Sequence, residues 1–219
     1  MISKEKIQLI RETIENDTRF INRINESISY VGKEKGHSNA SPMEDVIREI
    51  LIDKLSATQT NQDRSLADVI IDGHLVNVKF GSPKKSKNGK FSYGQPNMCA
   101  MQRIMKLFYH SDKIDSYYII KVNLSSSTGG SYSLHIFDMM DHIDFLCWNA
   151  GTGQIMLKET DFYRNTKSVE QISLQQKREK IKKLYDEGME KHILLRIEQY
   201  MKNSHNVEKF KEKLSSISK

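Results

Sequence analysis

A mixed α/β domain with a sheet at its centre is the fold class this chain predicts. Three observations carry that prediction: helix-spaced apolar residues open and close the sequence, a β-hairpin lies between them, and strand-like runs follow the hairpin. At 219 residues the chain suits a single domain with a sizeable core.

Residues 4–28 are predicted to be helical, because Ile7, Ile10, Ile14, Phe20 and Ile24 recur at roughly helical spacing. A second helix is predicted from about Ser41-Pro42, where proline suits a first turn. Its apolar stripe is Val46, Ile47, Ile50, Leu51 and Leu55, and Glu44 and Asp45 fall in its first turn on this reading. Polar residues 57–65 read as a loop. The stretch 65–81 is the clearest hairpin, with Asp72-Gly73 a favoured two-residue turn. Residues 82–95 are loop-like, and 97–109 return to helical spacing through Met98, Met101, Ile104, Met105 and Phe108. Strands are predicted over 116–123 and 132–137, then a short helix over 138–145 and a short strand over 153–158. A long charged helix over 173–203 and a basic helical tail complete a domain read as three segments: 1–40 helical, 41–165 core, 166–219 helical and basic.

Composition excludes several classes. With 37% hydrophobic residues, 28% charged and 3 prolines, the chain reads as globular rather than disordered. No apolar run approaches the roughly 18 residues that cross a bilayer, and the first residues soon meet charges, so neither membrane nor secretion is expected. Cys99 and Cys147 form neither a metal cluster by themselves nor a disulfide framework, and the histidines show no HxH or HExxH spacing. An intracellular protein is the expectation.

The positive surplus of 6 is unevenly placed. Residues 73–111 contain no acid and hold Lys79, Lys84, Lys85, Lys87, Lys90, Arg103 and Lys106. The lysine cluster sits among Gly, Ser, Pro and Asn, a surface suited to a polyanion, of which nucleic acid is the commonest large one. A membrane surface would want a wide apolar helical face, which the segment 84–90 lacks. The basic tail reads more simply as a solvated helical face.

The hairpin register has a chemical consequence. A turn at Asp72-Gly73 sets Ile71 against His74, Ile70 against Leu75, Val69 against Val76 and Asp68 against Asn77, provided that no bulge intervenes. Lys79, two residues past Asn77, shares its face. A carboxylate, an amide and an ammonium then share one patch. Asp68 is a hard oxygen ligand for Mg²⁺, Asn77 adds a neutral oxygen, and Lys79 offsets developing negative charge. Phosphodiester hydrolysis uses those parts. The bland alternative is a structural Asp and an edge-protecting Lys.

Ala67-Asp68 followed at nine residues by Asn77-Val78-Lys79 resembles the PD-(D/E)xK nuclease motif of type II restriction endonucleases. Gly94-Gln95-Pro96-Asn97 and the strand 117–122 are similar to the stretch after the catalytic lysine in several of those enzymes. The helix with Glu44 resembles the upstream helix whose glutamate assists the metal site. The resemblance covers roughly residues 40–165 and departs from the pattern at Ala67, where the family name has Pro, and at Asn77, where it has Asp or Glu.

That resemblance implies a restriction-endonuclease-like fold: a central mixed β-sheet flanked by helices, with C-terminal helices. It implies Mg²⁺-dependent cleavage of a specific duplex DNA sequence, with Mn²⁺ able to substitute. Asp68, Asn77 and Glu44 would hold the metal, and Lys79 would be the transition-state cation. Lys84, Lys85, Lys87, Lys90, Tyr93, Gln95, Asn97 and Arg103 are the proposed DNA contacts, and a two-fold homodimer would match a palindromic site. A cytoplasmic protein of a prokaryote or phage fits this reading. The alternatives are a structure-specific repair or junction-resolving nuclease of the same fold and a non-catalytic DNA-binding protein, with Asn77 marking a disabled site.

Simpler readings stand beside several of these residues. Glu44 answers a helix dipole in a first turn, and Asn97 caps the helix predicted after it. Met98, Met101 and Met105 read as core packing, and Trp148 as partly buried core. Asp63 has no predicted geometry, Asp72 belongs to the turn, and the loop 125–130 lacks the Gly-Lys-Ser/Thr ending of a P-loop.

Overall fold

A computed structural model describes residues 1–29, 40–60, 67–81, 84–85, 91–92, 97–100, 115–125, 131–151, 153–157, 172–203 and 207–217. The N-terminal helical stretch forms two helices, α1 (Lys4–Glu15) and α2 (Thr18–Ser29), rather than the single one expected. Asn16 caps the end of α1, and the Asp17 carboxylate then accepts the Arg19 N–H at 2.8 Å, starting a new helix. A polar side chain that competes for backbone donors breaks what apolar spacing alone would continue.

Helix α3 (Ala40–Leu55) contains Pro42 in its first turn, as expected. It begins early enough that Glu44 lies past that turn, so the dipole explanation for Glu44 weakens. After it come β1 (Thr58–Gln59), β2 (Val69–Ile71) and β3 (His74–Gly81). Asp72 and Gly73 both take positive φ, 48° and 81°, as a type I′ turn requires. The pairs Ile71↔His74, Ile70↔Leu75 and Val69↔Val76 form as predicted.

The expected pair Asp68↔Asn77 does not form. The Asp68 N–H donates to the Val76 carbonyl at 3.0 Å, so Asp68 and Val69 both stand opposite Val76, as in a β-bulge. This step ends the ladder, and the Asp68 carboxylate accepts the Val78 N–H on the unpaired edge of β3.

Residues 82–95, read as loop, contain a short hairpin of β4 (Lys84–Lys85) and β5 (Phe91–Ser92). Asn97–Ala100, predicted as the start of a helix, is strand β6. It pairs with β10 (Gln154–Leu157), which also pairs with β9 (Leu146–Asn149). Methionines three apart satisfy helical spacing, but a partner strand decides the matter. Asn97 therefore does not cap a helix, and the rest of that predicted helix lies outside the described residues.

Strands β7 (Tyr117–Leu124) and β8 (Tyr132–Asp138) match expectation. The main sheet runs β1-β2-β3-β7-β8, with β7 parallel to β3 and the other neighbours antiparallel. Every residue of β7 is buried, as befits a strand covered on both faces. A 3-10 helix (Met139–Phe145) stands where a short helix was predicted, and the long C-terminal helices are α4 (Leu174–Asn203) and α5 (Val207–Ile217).

One face of the sheet presents Val69, Ile71, Val76, Val78, Tyr118, Ile120 and Val122 to α1, α2 and α3, which answer with Ile10, Ile14, Phe20, Ile24, Met43, Ile47 and Ile50. The opposite face presents Tyr117, Ile119 and Phe137 to Met139, Met140, Ile155 of β10 and Ile181 of α4. This is a mixed five-stranded sheet with helices on both faces. Among the described residues no helix is long and apolar enough to cross a membrane.

Candidate active site

Strand β3 outruns β2. Beyond Val76 its backbone amides on the β2 side have lost their ladder partners, and a buried N–H without an acceptor is costly. Two carboxylates supply the acceptors. The Val78 N–H donates to Asp68 Oδ2 at 2.6 Å, and the Phe80 N–H donates to Glu44 Oε1 at 3.1 Å. Residues 78 and 80 lie two apart on a strand, so their anchoring amides stand about 7 Å from each other. Two acids from separate elements are thus fixed side by side along one edge.

Lys79 stands between those amides. Its Nζ lies 4.0 Å from Glu44 Oε2, and both side chains keep contact with solvent, at 21% exposed for Lys79 and 27% for Glu44. Burial pushes the Glu44 carboxyl above its ordinary range, the Lys79 charge and the Phe80 amide pull it back, and the Asp68 charge adds to the rise. A group held in that tension is stabilised by a further positive charge nearby.

Asn77 lies on the Lys79 face and is 8% exposed. Its Nδ2 donates to the Tyr117 hydroxyl at 2.8 Å, across the parallel pairing of β3 with β7. Tyr117 is fully buried.

No protein-family model and no curated protein matches the chain.

Among the described residues no group of three or more His, Cys, Asp and Glu side chains is placed to hold a metal. Two carboxylates, Asp68 and Glu44, are anchored at β3, one acid short of that count, and residue 77 is Asn. They fit a small hard cation nonetheless. Mg²⁺ takes oxygen ligands, keeps several waters and is commonly held by only one or two carboxylates. Asp68 Oδ1 has no hydrogen-bond partner among the described residues, and Glu44 Oε2 has only the distant ammonium of Lys79.

The remaining predicted contacts divide. Lys84 and Lys85 lie in β4 and Asn97 in β6. Lys87, Lys90, Tyr93, Gln95 and Arg103 lie outside the described residues.

Three neighbours were not anticipated: Tyr117, Lys121 and His135. Besides Tyr117, the sheet sets Lys79, Lys121 and His135 in one cross-strand row. Lys121 is 1% exposed, and burial lowers its ammonium to about 7. Gly81 makes room beside it, since a Cβ there would collide with the Asn123 amide. A lysine inside the apolar run Tyr-Tyr-Ile-Ile-Lys-Val was the available signal, but the β3–β7 register that gives it meaning is not local in sequence.

Proposed function

We propose that this chain is a metal-dependent endonuclease of the restriction-endonuclease-like fold, a type II restriction enzyme that hydrolyses duplex DNA at a specific sequence. The observation that carries the reading is the pair of carboxylates, Asp68 and Glu44, anchored on the Val78 and Phe80 amides of β3, with Lys79 Nζ 4.0 Å from Glu44. Further support comes from α3, upstream of the hairpin, which supplies Glu44, and from β7, which lies parallel beside β3.

In this mechanism Asp68, Glu44 and the Asn77 oxygen would hold Mg²⁺ or Mn²⁺. The ion held there would supply Lewis-acid polarisation of a phosphoryl oxygen and would acidify a water. The Lys79 ammonium offsets the negative charge that grows on the phosphoryl oxygens in the transition state. The two backbone amides keep the carboxylates from swinging away, so little reorganisation is needed when substrate arrives. Lys84, Lys85, Lys87 and Lys90 are the contacts proposed for the phosphate backbone, and a two-fold homodimer would present one site to each strand.

The test is incubation of the protein and Mg²⁺ with long duplex DNA, followed by sequencing of the ends. Discrete ends sharing one sequence support the restriction reading, and cuts that follow branches or lesions point instead to a structure-specific nuclease of the same chemistry. No cleavage with Mg²⁺ or Mn²⁺, but retained DNA binding, would leave a non-catalytic binding protein.

A further inference from the structure

Residue 77 poses an orientation problem that an acid at the same position would not. A carboxylate has two like oxygens, and either serves a cation. An amide has two unlike arms, an oxygen that attracts a cation and an NH₂ that repels it. A cation site built with Asn in place of an acid therefore needs something to choose the arm. Here Asn77 Nδ2 donates to the Tyr117 hydroxyl at 2.8 Å in a buried contact. The hydroxyl draws the NH₂ arm towards β7, and the rigid 120° fork of the amide then sets where the oxygen goes.

Tyr117 is well held for this task. It is fully buried at the start of the central strand, and its backbone N–H donates to Asp138 Oδ1 at 3.0 Å. Leu75, two residues before Asn77, pairs with Tyr117, so the ring lies on the same sheet face and reaches diagonally to the amide. Asn77 is the chain neighbour of Val78, whose N–H anchors Asp68.

We propose that Tyr117 is a positioning residue of the cation site: its hydroxyl takes the NH₂ arm of Asn77 and so turns the amide oxygen towards a divalent cation shared with Asp68 and Glu44. This rests on the metal-site reading above. It explains how the departure at position 77 is compatible with that site, and it predicts that Tyr117 matters only while residue 77 is an amide.

The experiment is Mn²⁺ binding to the purified full chain, followed by electron paramagnetic resonance, for Tyr117→Phe in three backgrounds: Asn77, Asn77→Ala and Asn77→Asp. Tyr117→Phe should weaken Mn²⁺ binding about 5–10-fold with Asn77, the worth of one ordinary hydrogen bond. It should change binding less than about 2-fold in the Ala and Asp backgrounds, with the Asp background rescuing tight binding. Equal weakening in all three backgrounds, or no weakening with Asn77, overturns the positioning role while leaving the cation site intact. Absence of Mn²⁺ binding by the unaltered protein overturns the cation site and this role together. Unfolding melts of each variant without metal separate a lost fold from a lost orientation.

Discussion

Asp68 and Val78 are ten residues apart, and a 2.6 Å hydrogen bond from the Val78 amide to the Asp68 carboxylate joins them where the β2–β3 ladder has ended. The contact gives the carboxylate a structural task that an amide can also perform, because an amide oxygen accepts the same hydrogen bond. The electrostatic task that the proposed function gives the carboxylate, towards a cation, an amide cannot perform equally. The two roles are therefore separable by substitution.

Asp68→Asn should keep stability within about 1 kcal/mol of the unaltered protein. Its cleavage rate should fall by more than the roughly 10–100-fold typical of groups that only support a metal ligand. Lys79→Ala should lower the rate about 100–1,000-fold and leave metal-dependent DNA affinity largely unchanged. Single-turnover cleavage and urea unfolding measure both quantities. A fully active Asp68→Asn protein is incompatible with the proposed mechanism.

Lys84→Ala combined with Lys87→Ala should reduce the slope of log affinity against log salt by about 2, since each lost phosphate contact releases one fewer counterion. Fluorescence anisotropy with duplex DNA across a salt series measures it. An unchanged slope removes the β4–β5 hairpin from the DNA interface.

Gly188 lies in α4 against the Trp148 indole, and a Cβ at that position would collide with ring atoms. Gly188→Ala should therefore destabilise the protein by about 1–3 kcal/mol despite alanine's higher helix propensity. Replacing Trp148 with a small residue should cancel most of the loss in a double-mutant cycle. A Gly188→Ala protein more stable than the parent shows that α4 packs on β9 differently.

Asp138 is 5% exposed, and burial pushes its carboxyl up to about 6 against the pull of the Tyr117 and Met140 amides. Its Oδ2 has no hydrogen-bond partner among the described residues. A folded value above the unfolded value of 3.8 means that the native state binds more protons between those limits. The stability it contributes is thus full below pH 3.8 and lost as pH rises through about 6. Asp138→Asn keeps an oxygen for both amides and carries no charge. Relative to the parent, its stability should rise by roughly 2 kcal/mol between pH 4 and pH 7. Urea denaturation at both pH values measures the difference, and a constant offset contradicts the buried-charge account.

The chain by itself determined the parts whose physics is local. Asp72-Gly73 selects a two-residue turn, the turn sets the β2–β3 register, and period-two alternation puts Asn77 with Lys79. The long helix over 174–203 and the strands at 117–124 and 132–138 were legible for the same reason. Local spacing misled where a distant partner decided: β6 is a strand because β10 lies beside it, and the bulge at Asp68 breaks the simple pairing.

Only the tertiary structure joined Glu44 to Phe80, 36 residues away, and Asn77 to Tyr117, 40 residues away. Such contacts depend on how α3 seats on the sheet and how β7 registers against β3. Both are settled by burial of whole faces, Val76, Val78 and Ile120 against Met43 and Ile47, rather than by any short stretch of chain. The residue types that carry chemistry are written in the sequence. Their distances belong to the packed core.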